Sequence, residues 1–451
     1  MGRREREREI GESMSKRSAT TSAEATAVDD HAEPDFVALA KSLIPLADEH
    51  AEAAEERGAL ADEVVEALHA TGLWAIWVPR PLGGAELAPV PSLEVIEHLS
   101  YADASTGWVV MAAALATGAD AAFLGDEAGE ALFGGERLLV HAGAGTQPGT
   151  AVPTDGGFLL SGSWRFASGV KHAQVVHTAG LVKTTGQARI CVFGVDQATL
   201  IDNWDVLGLR ATGSIDYTTD SLYVPEAYTY HATTETPLRG GILYTLGIIN
   251  LGMICHSARA LGVGRRMLDE LLKLIEAGSG RAGGLSENHA FHGDYAMAEA
   301  KLRAARALVY ETWQGVQATL DRGDALSMRQ NTLTRLALQY ATWTVEEVSM
   351  FVYNAAGTAA LRSGVIQRFF RDMHAGTQHM TSAPPVRQAC GRQLAGLAPG
   401  KTWQFVTLVD PSGAPPEAAR PPRAAGLSAP GSTGLRRRRE AAPPPPPSPG
   451  P

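Results

Sequence analysis

The chain has 451 residues, 45% hydrophobic and 20% charged, with a formal net charge of -10. That is a globular composition, and its acidic balance argues against a nucleic-acid surface, so no nucleic-acid partner is expected. No apolar run reaches the ~18 residues of a membrane span and the charged N-terminus lacks a signal-peptide core, so no membrane contact and a cytoplasmic location are expected. The three cysteines, Cys191, Cys255 and Cys390, are far apart without ligand spacing, and read as buried thiols in a reducing compartment.

Residues 1–34 are charged and then rich in Ser, Thr and Ala, and read as a disordered extension in which Met14 is a second candidate start. From Phe36 to Leu68, apolar residues recur at helical spacing (Leu39, Leu43, Leu46, then Leu60, Val64, Leu68). Pro79, Pro81 and Gly83-Gly84 force a loop, and Pro91-Ser92 opens another helix. Asp103 is placed to cap a helix from Gly107 to Ala122 that is apolar on nearly all sides. Residues 35–138 therefore read as a helical domain.

Residues 139–238 change period. Stretches such as GGFLLSGSWRFASG, RICVFGVD and DYTTDSLYVPEAYTY cluster β-formers between glycine turns, which predicts an antiparallel β domain of about seven strands. Residues 239–400 return to helix, with segments Leu243–Ala277, Phe291–Asp321, Met328–Ala356 and Val386–Leu397, as in a helical bundle. Residues 411–451 are Pro- and Arg-rich and read as a disordered tail. The fold class is α+β: helical domain, β domain, four-helix bundle.

Within this order, four stretches carry a family resemblance: LWAIWVPRPLGGAEL, LSGSWRFASG, WDVLGLRATGSIDY and IQRFFRDMHAGTQH. Together they resemble the acyl-CoA dehydrogenase superfamily of flavoproteins. One branch dehydrogenates acyl-CoA thioesters with a carboxylate base; the other uses reduced flavin and O2 to oxygenate small molecules. This chain has no Asp or Glu between Asp372 and Asp410, and none from Gly240 to Leu268, the two segments where the resemblance places the base. Met380 stands at one of these positions, Gly252 near the other. His379 and Phe166-Ala-Ser168-Gly169 resemble instead the oxygenase component (group D) of the flavin-dependent two-component monooxygenases.

That resemblance implies reduced FMN or FAD supplied by a flavin reductase, a C4a-hydroperoxyflavin as oxidant, and a homotetramer. Substrates are aromatic or polyketide-like small molecules, with N-oxidation of an amine as a close variant. An acyl-CoA dehydrogenase with a relocated base and a catalytically silent flavin-binding homologue are the alternatives. Ser168 reads by itself as a serine in a turn; the resemblance makes it a hydrogen-bond donor at the flavin edge, with Phe166 and Gly169 beside it. His379 reads by itself as a helix-end cap, and by resemblance as the general base that deprotonates a phenol. Thr212 and Ser214 are expected at the flavin, and Arg368 at its phosphate. Arg371 is expected to pair with Asp372, and His374 to be structural. Trp108 and Trp204 are expected to line the substrate cavity, although Trp108 by itself reads as core. His289 and His292 lack the partners of a metal site, so no metal is expected. No glycine-rich nicotinamide fingerprint follows a strand.

Overall fold

The computed structural model describes residues 34–278 and 284–411. The two terminal extensions read as disordered lie outside the described residues, apart from Pro34 and Pro411 at their inner ends. Helices α1 (Phe36–Ser42), α2 (Ile44–Arg57), α3 (Asp62–Ala70), α4 (Pro89–Ala102), α5 (Ala104–Phe123) and α6 (Asp126–Phe133) come first. Helix α4 starts two residues before the expected Pro91, because proline is well suited to the first helical turn, where its missing N–H costs nothing. The Asp103 carboxylate accepts from the Thr106 backbone N–H at 2.7 Å and so caps α5 as expected.

Strands β1 (His141–Ala142), β2 (Gly149–Thr154), β3 (Gly157–Trp164), β4 (Val175–Val182), β5 (Ala188–Gly194), β6 (Thr199–Ile201), β7 (Asp216–Pro225) and β8 (Thr229–His231) form one 8-stranded sheet. Its order is β6-β7-β3-β2-β4-β5-β8, with β1 beside β4. The sheet is mostly antiparallel, but β1 and β2 both run parallel to β4. The tight turn at Asp155-Gly156 reverses β2 into β3, with Gly157 already paired to Thr154. The segment after Trp164 then crosses over to bring β4 in parallel to β2. That crossover carries Phe166 to Gly169.

Helices α7 (Gly247–Gly278), α8 (His289–Asp321), α9 (Met328–Ala356), α10 (Val365–Gly376) and α11 (Pro384–Leu394) follow. Helix α10 lies in a stretch outside the four expected bundle segments, and a hairpin of β9 (Thr402–Gln404) and β10 (Thr407–Val409) ends the described chain. Two segments, Ala104–Phe123 and Ile242–Gly278, are long and apolar enough to span a membrane, contrary to the expectation from sequence. Their most apolar windows are 83% and 78% buried within the protein, which makes them the central core helices. All three cysteines are free and buried.

Candidate active site

The site forms where α5, α7, the β3–β4 crossover and the segment after α10 meet. Trp108 lies near the start of α5, held in register by the Asp103 cap. Its indole Nε1–H donates to Ser168 Oγ at 2.9 Å. Ser168 Oγ lies 2.7 Å from Ser214 Oγ, which lies 2.7 Å from Thr212 Oγ1, which donates to the Leu209 carbonyl at 2.8 Å.

The two ends fix every proton in this chain. The indole has only a donor and the carbonyl only an acceptor. Thr212 spends its hydrogen on Leu209, so Ser214 donates to Thr212 and Ser168 donates to Ser214. All three hydroxyl residues are buried. Ser168 thus keeps no free hydrogen. It keeps one free lone pair, since its other accepts the indole N–H. The expected hydrogen-bond donor is in fact an acceptor.

A second anchor sets the far end of this chain. The Asp372 carboxylate accepts from the Leu209 backbone N–H at 2.5 Å and holds Leu209 in a left-handed conformation, φ 57°. Gly208 permits the approach: a Cβ there would lie 2.3 Å from the Arg371 carbonyl carbon and oxygen. Burial, then the neighbouring Asp103 carboxylate, pushes the Asp372 carboxyl up to about 7.

Phe166 adopts φ 66° and is 63% exposed, with Trp204 edge-on at 6.1 Å. An exposed phenyl beside a buried hydroxyl chain leaves apolar area for a planar ring to cover. Trp204 Nε1 donates to the same Leu209 carbonyl at 3.1 Å, so Trp204 belongs to the Phe166 wall and not to the His379 rings. Gly169, at φ 80°, donates its N–H to the Thr212 carbonyl at 3.1 Å and ties the crossover to the hydroxyl chain.

Trp108 is also the hub of a ring cluster. The His256 and His379 rings stack at 4.0 Å, and their centroids lie 5.2 and 5.8 Å from the Trp108 ring. His379 sits after α10, at the start of a short 3-10 turn, and lies on no helix face. Its Nδ1 is 2.8 Å from Thr381 Oγ1. The same Nδ1 accepts from the Thr381 backbone N–H at 3.4 Å, so the neutral ring carries its hydrogen on Nε2 and offers a donor where a general base was expected. Burial, then Arg259, pushes the His379 imidazole down to about 4, and burial with His379 pushes His256 well below the ordinary range. Both rings are therefore neutral near pH 7.

Trp108, Ala112 and Leu115 on α5, with Gly252 and His256 on α7, are only partly buried, unlike most of their neighbours. A Cβ at Gly252 would stand 3.4 Å from Leu115 Cδ2, so these two stripes face each other. With His379 they form one partly buried face. Met380 is partly buried just beyond, in the position where a carboxylate base was sought.

The two arginines do not do what the sequence suggested. Arg368 is 6% exposed and turned inward, its guanidinium 3.7 Å from Asp48 and 3.9 Å from Asp103. Two acids of its own chain neutralise it, so it is not presented to a phosphate. Arg371 pairs with Glu55 and donates to the Leu207 carbonyl at 2.9 Å, leaving Asp372 to Leu209. His374 packs on Phe370 and lies 3.7 Å from Glu346, a structural place.

Sequence reasoning missed His256 and Arg259. Both interrupt an otherwise apolar stretch of α7 three residues apart, which puts them on one helix face. It also missed Asp120, buried in α5, which accepts from His141 Nδ1 and His177 Nδ1 at 2.7 Å and from the Tyr230 hydroxyl at 2.8 Å. The two histidines hold the Asp120 carboxyl down at about 2 against its burial. This cluster ties α5 to the sheet and lies apart from the Trp108 rings.

Two family models match the chain: "Acyl-CoA dehydrogenase, N-terminal domain" over residues 38–128 and "Acyl-CoA dehydrogenase, C-terminal domain" over residues 254–384. Indole-3-acetate monooxygenase of Pseudomonas putida is 29% identical over 356 residues, covering 75% of this chain and 87% of that protein. The flavin-dependent monooxygenase oxygenase subunit HsaA of Mycobacterium tuberculosis is 26% identical over 414 residues, covering 81% and 96%. The solved 3-HSA hydroxylase of Rhodococcus sp. RHA1 has the same fold, with TM-score 0.78 at 22% identity over 84% of this chain and 100% of that one. Both family models in order, the shared fold, and Met380 and Gly252 where a carboxylate base was sought lead to one conclusion: residues 38–128 and 254–384 match acyl-CoA dehydrogenase domains, and the chain resembles flavin-dependent monooxygenase oxygenase components.

Proposed function

We propose that the protein is the oxygenase component of a two-component flavin-dependent monooxygenase that hydroxylates an aromatic small molecule. The observation that carries this reading is the ordered hydroxyl chain ending at Ser168, set between the exposed Phe166 and a neutral histidine pair. These residues fit a reduced flavin. Phe166 and Trp204 offer a ring-sized apolar wall, and the free lone pair of Ser168 matches the N–H that a flavin carries at N5 only when reduced. When bound, the reduced flavin supplies O2 activation and the oxygen atom that is transferred.

The chain's own residues supply the rest. Trp108, Ala112 and Leu115 keep water from the site. His379, neutral and held at Nδ1 by the Thr381 backbone N–H, donates from Nε2–H to the phenol oxygen of the substrate and positions its ring. His256, stacked behind it, fixes the plane of the ring. No carboxylate of this chain stands where a dehydrogenase places its base, which favours oxygenation over dehydrogenation.

A separate reductase is the source of reduced flavin in this proposal, supported by the relative named as an oxygenase subunit. The exposed Met297, Tyr340 and Met350 on α8 and α9 are apolar surface for packing copies into the expected tetramer. Size-exclusion chromatography with light scattering tests that expectation. The functional test mixes protein with anaerobically reduced FMN or FAD, then adds O2 with 4-hydroxyphenylacetate or indole. Hydroxylated product in place of free H2O2 is expected. Reduction of bound oxidised flavin by an acyl-CoA thioester, without oxygenation, would overturn the proposal.

A further inference from the structure

Helix α9 packs against the segment that carries His379 and presents a stripe of donors to it. Arg335, Gln339 and Trp343 follow one another at four-residue intervals and share one face of α9. Each donates to backbone carbonyls of a segment outside the helix. Arg335 Nε and Nη2 donate to the Phe405 carbonyl in the β9–β10 hairpin at 3.0 and 2.7 Å. Gln339 Nε2 donates to the Thr381 carbonyl at 2.6 Å and to the Ala383 carbonyl at 3.0 Å. Trp343 Nε1 donates to the Ser382 carbonyl at 3.0 Å. Three consecutive carbonyls just after His379 are thus held from α9.

The sequence of the turn makes those donors necessary. The Thr381 carbonyl finds Pro384 and Pro385 three and four residues on, and neither has an N–H. The Ser382 carbonyl finds Pro385 and then Val386, whose N–H goes to the Ala383 carbonyl at 3.1 Å. Thr381 and Ser382 are buried, so these carbonyls need partners from elsewhere in the chain. Gln339 is 1% exposed, and its Oε1 has no partner among the described residues. Two facing carbonyls admit only the NH2 end of the amide, so its orientation is fixed and both its hydrogens are spent. An amide oxygen left unpaired in a buried place costs stability. The fold keeps Gln339 for its two donors.

The same turn closes on the His379 ring. Thr381 meets Nδ1 twice, with its backbone N–H at 3.4 Å and its Oγ1 at 2.8 Å. Thr381 is therefore held by Gln339 at its carbonyl while it holds the imidazole. We infer that Gln339 and Trp343 are positioning residues for His379: by fixing the carbonyls of Thr381, Ser382 and Ala383 they keep the Thr381 donors on Nδ1, and so keep the ring hydrogen on Nε2 facing the substrate. This rests on the oxygenase reading, in which His379 holds the substrate oxygen. A donor displaced by a fraction of an ångström no longer holds that oxygen in the reactive geometry. Arg335, on the same stripe, serves the terminal hairpin instead.

The test joins a tautomer readout to a mutant cycle. In flavin-free protein labelled with 15N-histidine, the His379 resonances are assigned by their loss in His379→Ala. Wild type is expected to show a protonated Nε2 and a bare Nδ1. Gln339→Met keeps the volume and removes both donors. Trp343→Phe keeps a ring and removes one, and decides the question if Gln339→Met does not fold. Each is expected to move the two nitrogens toward a mixture of tautomers. In turnover with 4-hydroxyphenylacetate, reduced flavin and O2, product yield is expected to fall about tenfold or more in favour of H2O2, with flavin affinity within about twofold. In a His379→Ala background the same substitutions change yield by less than about twofold, since the residue they position is gone. A wild-type hydrogen on Nδ1, an unmoved His379 signal in the variants, or losses that multiply with that of His379→Ala overturns the positioning role. A signal that moves as expected in a protein whose wild type never oxygenates sinks the oxygenase reading and leaves the turn's hold on the ring standing.

Discussion

Ser214→Ala cuts the ordered chain at its middle. In the wild type, Ser168 donates to Ser214 and offers only a lone pair outward. Removing the Ser214 hydroxyl deletes two hydrogen bonds of 2.7 Å at a side chain that is 2% exposed. The loss costs roughly 1–3 kcal/mol of stability, because the Ser168 hydroxyl loses its acceptor in a buried place. The freed hydrogen then turns outward, toward the flavin edge. Reduced flavin carries a hydrogen at N5 and oxidised flavin a lone pair, so the preference shifts from the reduced to the oxidised form. One hydrogen bond gained by one form and lost by the other is worth about 1–2 kcal/mol, or roughly a 5- to 30-fold change in the ratio of dissociation constants. The assay titrates FMN and FAD, oxidised in air and reduced under anaerobic conditions, and follows the protein's tryptophan fluorescence. A ratio unchanged in Ser214→Ala, in a variant that still folds and binds flavin, would refute the proton order from Trp108 to Leu209.

His379→Ala is expected to keep flavin affinity while product yield falls by a factor of about 10² or more and H2O2 rises in its place; unchanged hydroxylation would remove His379 from the chemistry. The pH dependence follows from the same residue. Its folded pKa lies near 4, below the ordinary value of about 6.5, so the neutral form is present above about 4 and lost below it. Product yield that depends on His379 is therefore expected to hold from pH 7 down to about 5, and a loss centred near 6.5 would contradict this placement. The unfolded chain binds that proton first as pH falls from about 6.5 to 4, so wild type loses stability relative to His379→Ala in this window, by about 2–3 kcal/mol at most. Parallel urea melts of the two proteins at each pH check the sign. Asp120→Ala removes the acceptor of His141, His177 and Tyr230, and is expected to cost about 3–5 kcal/mol and lower the melting temperature without changing flavin specificity in the protein that remains folded.

What the sequence made legible was local in origin or carried by family motifs. The Asp103 cap and the turn at Gly156 depend on a few adjacent residues. Phe166, Ser168, Thr212 and Ser214 were found because two motif stretches carry them, and the fold brings those stretches together. The direction of their protons was not legible, since it depends on Trp108 and Leu209 closing the two ends. The arginines failed for the same reason. Arg368 and Arg371 sit on an exposed-looking charged stretch, and only packing of α10 against α2 and the start of α5 shows that Asp48, Asp103 and Glu55 meet them. By length and hydropathy alone α5 and α7 could span a membrane, but their apolar surfaces are covered by other parts of the same chain, in keeping with the buried helices read from the sequence. Asp120 and Arg259 were hidden in these helices. A titratable residue in an otherwise apolar core helix was the signal to weigh.

The central claim is most directly tested by the fate of the oxygen atoms. Protein loaded with anaerobically reduced flavin and 4-hydroxyphenylacetate or indole is exposed to 18O2 in ordinary water, and the product is analysed by mass spectrometry. One 18O atom per hydroxylated product is the predicted result. Product carrying solvent oxygen, or an oxidised substrate that has gained no oxygen at all, would contradict it.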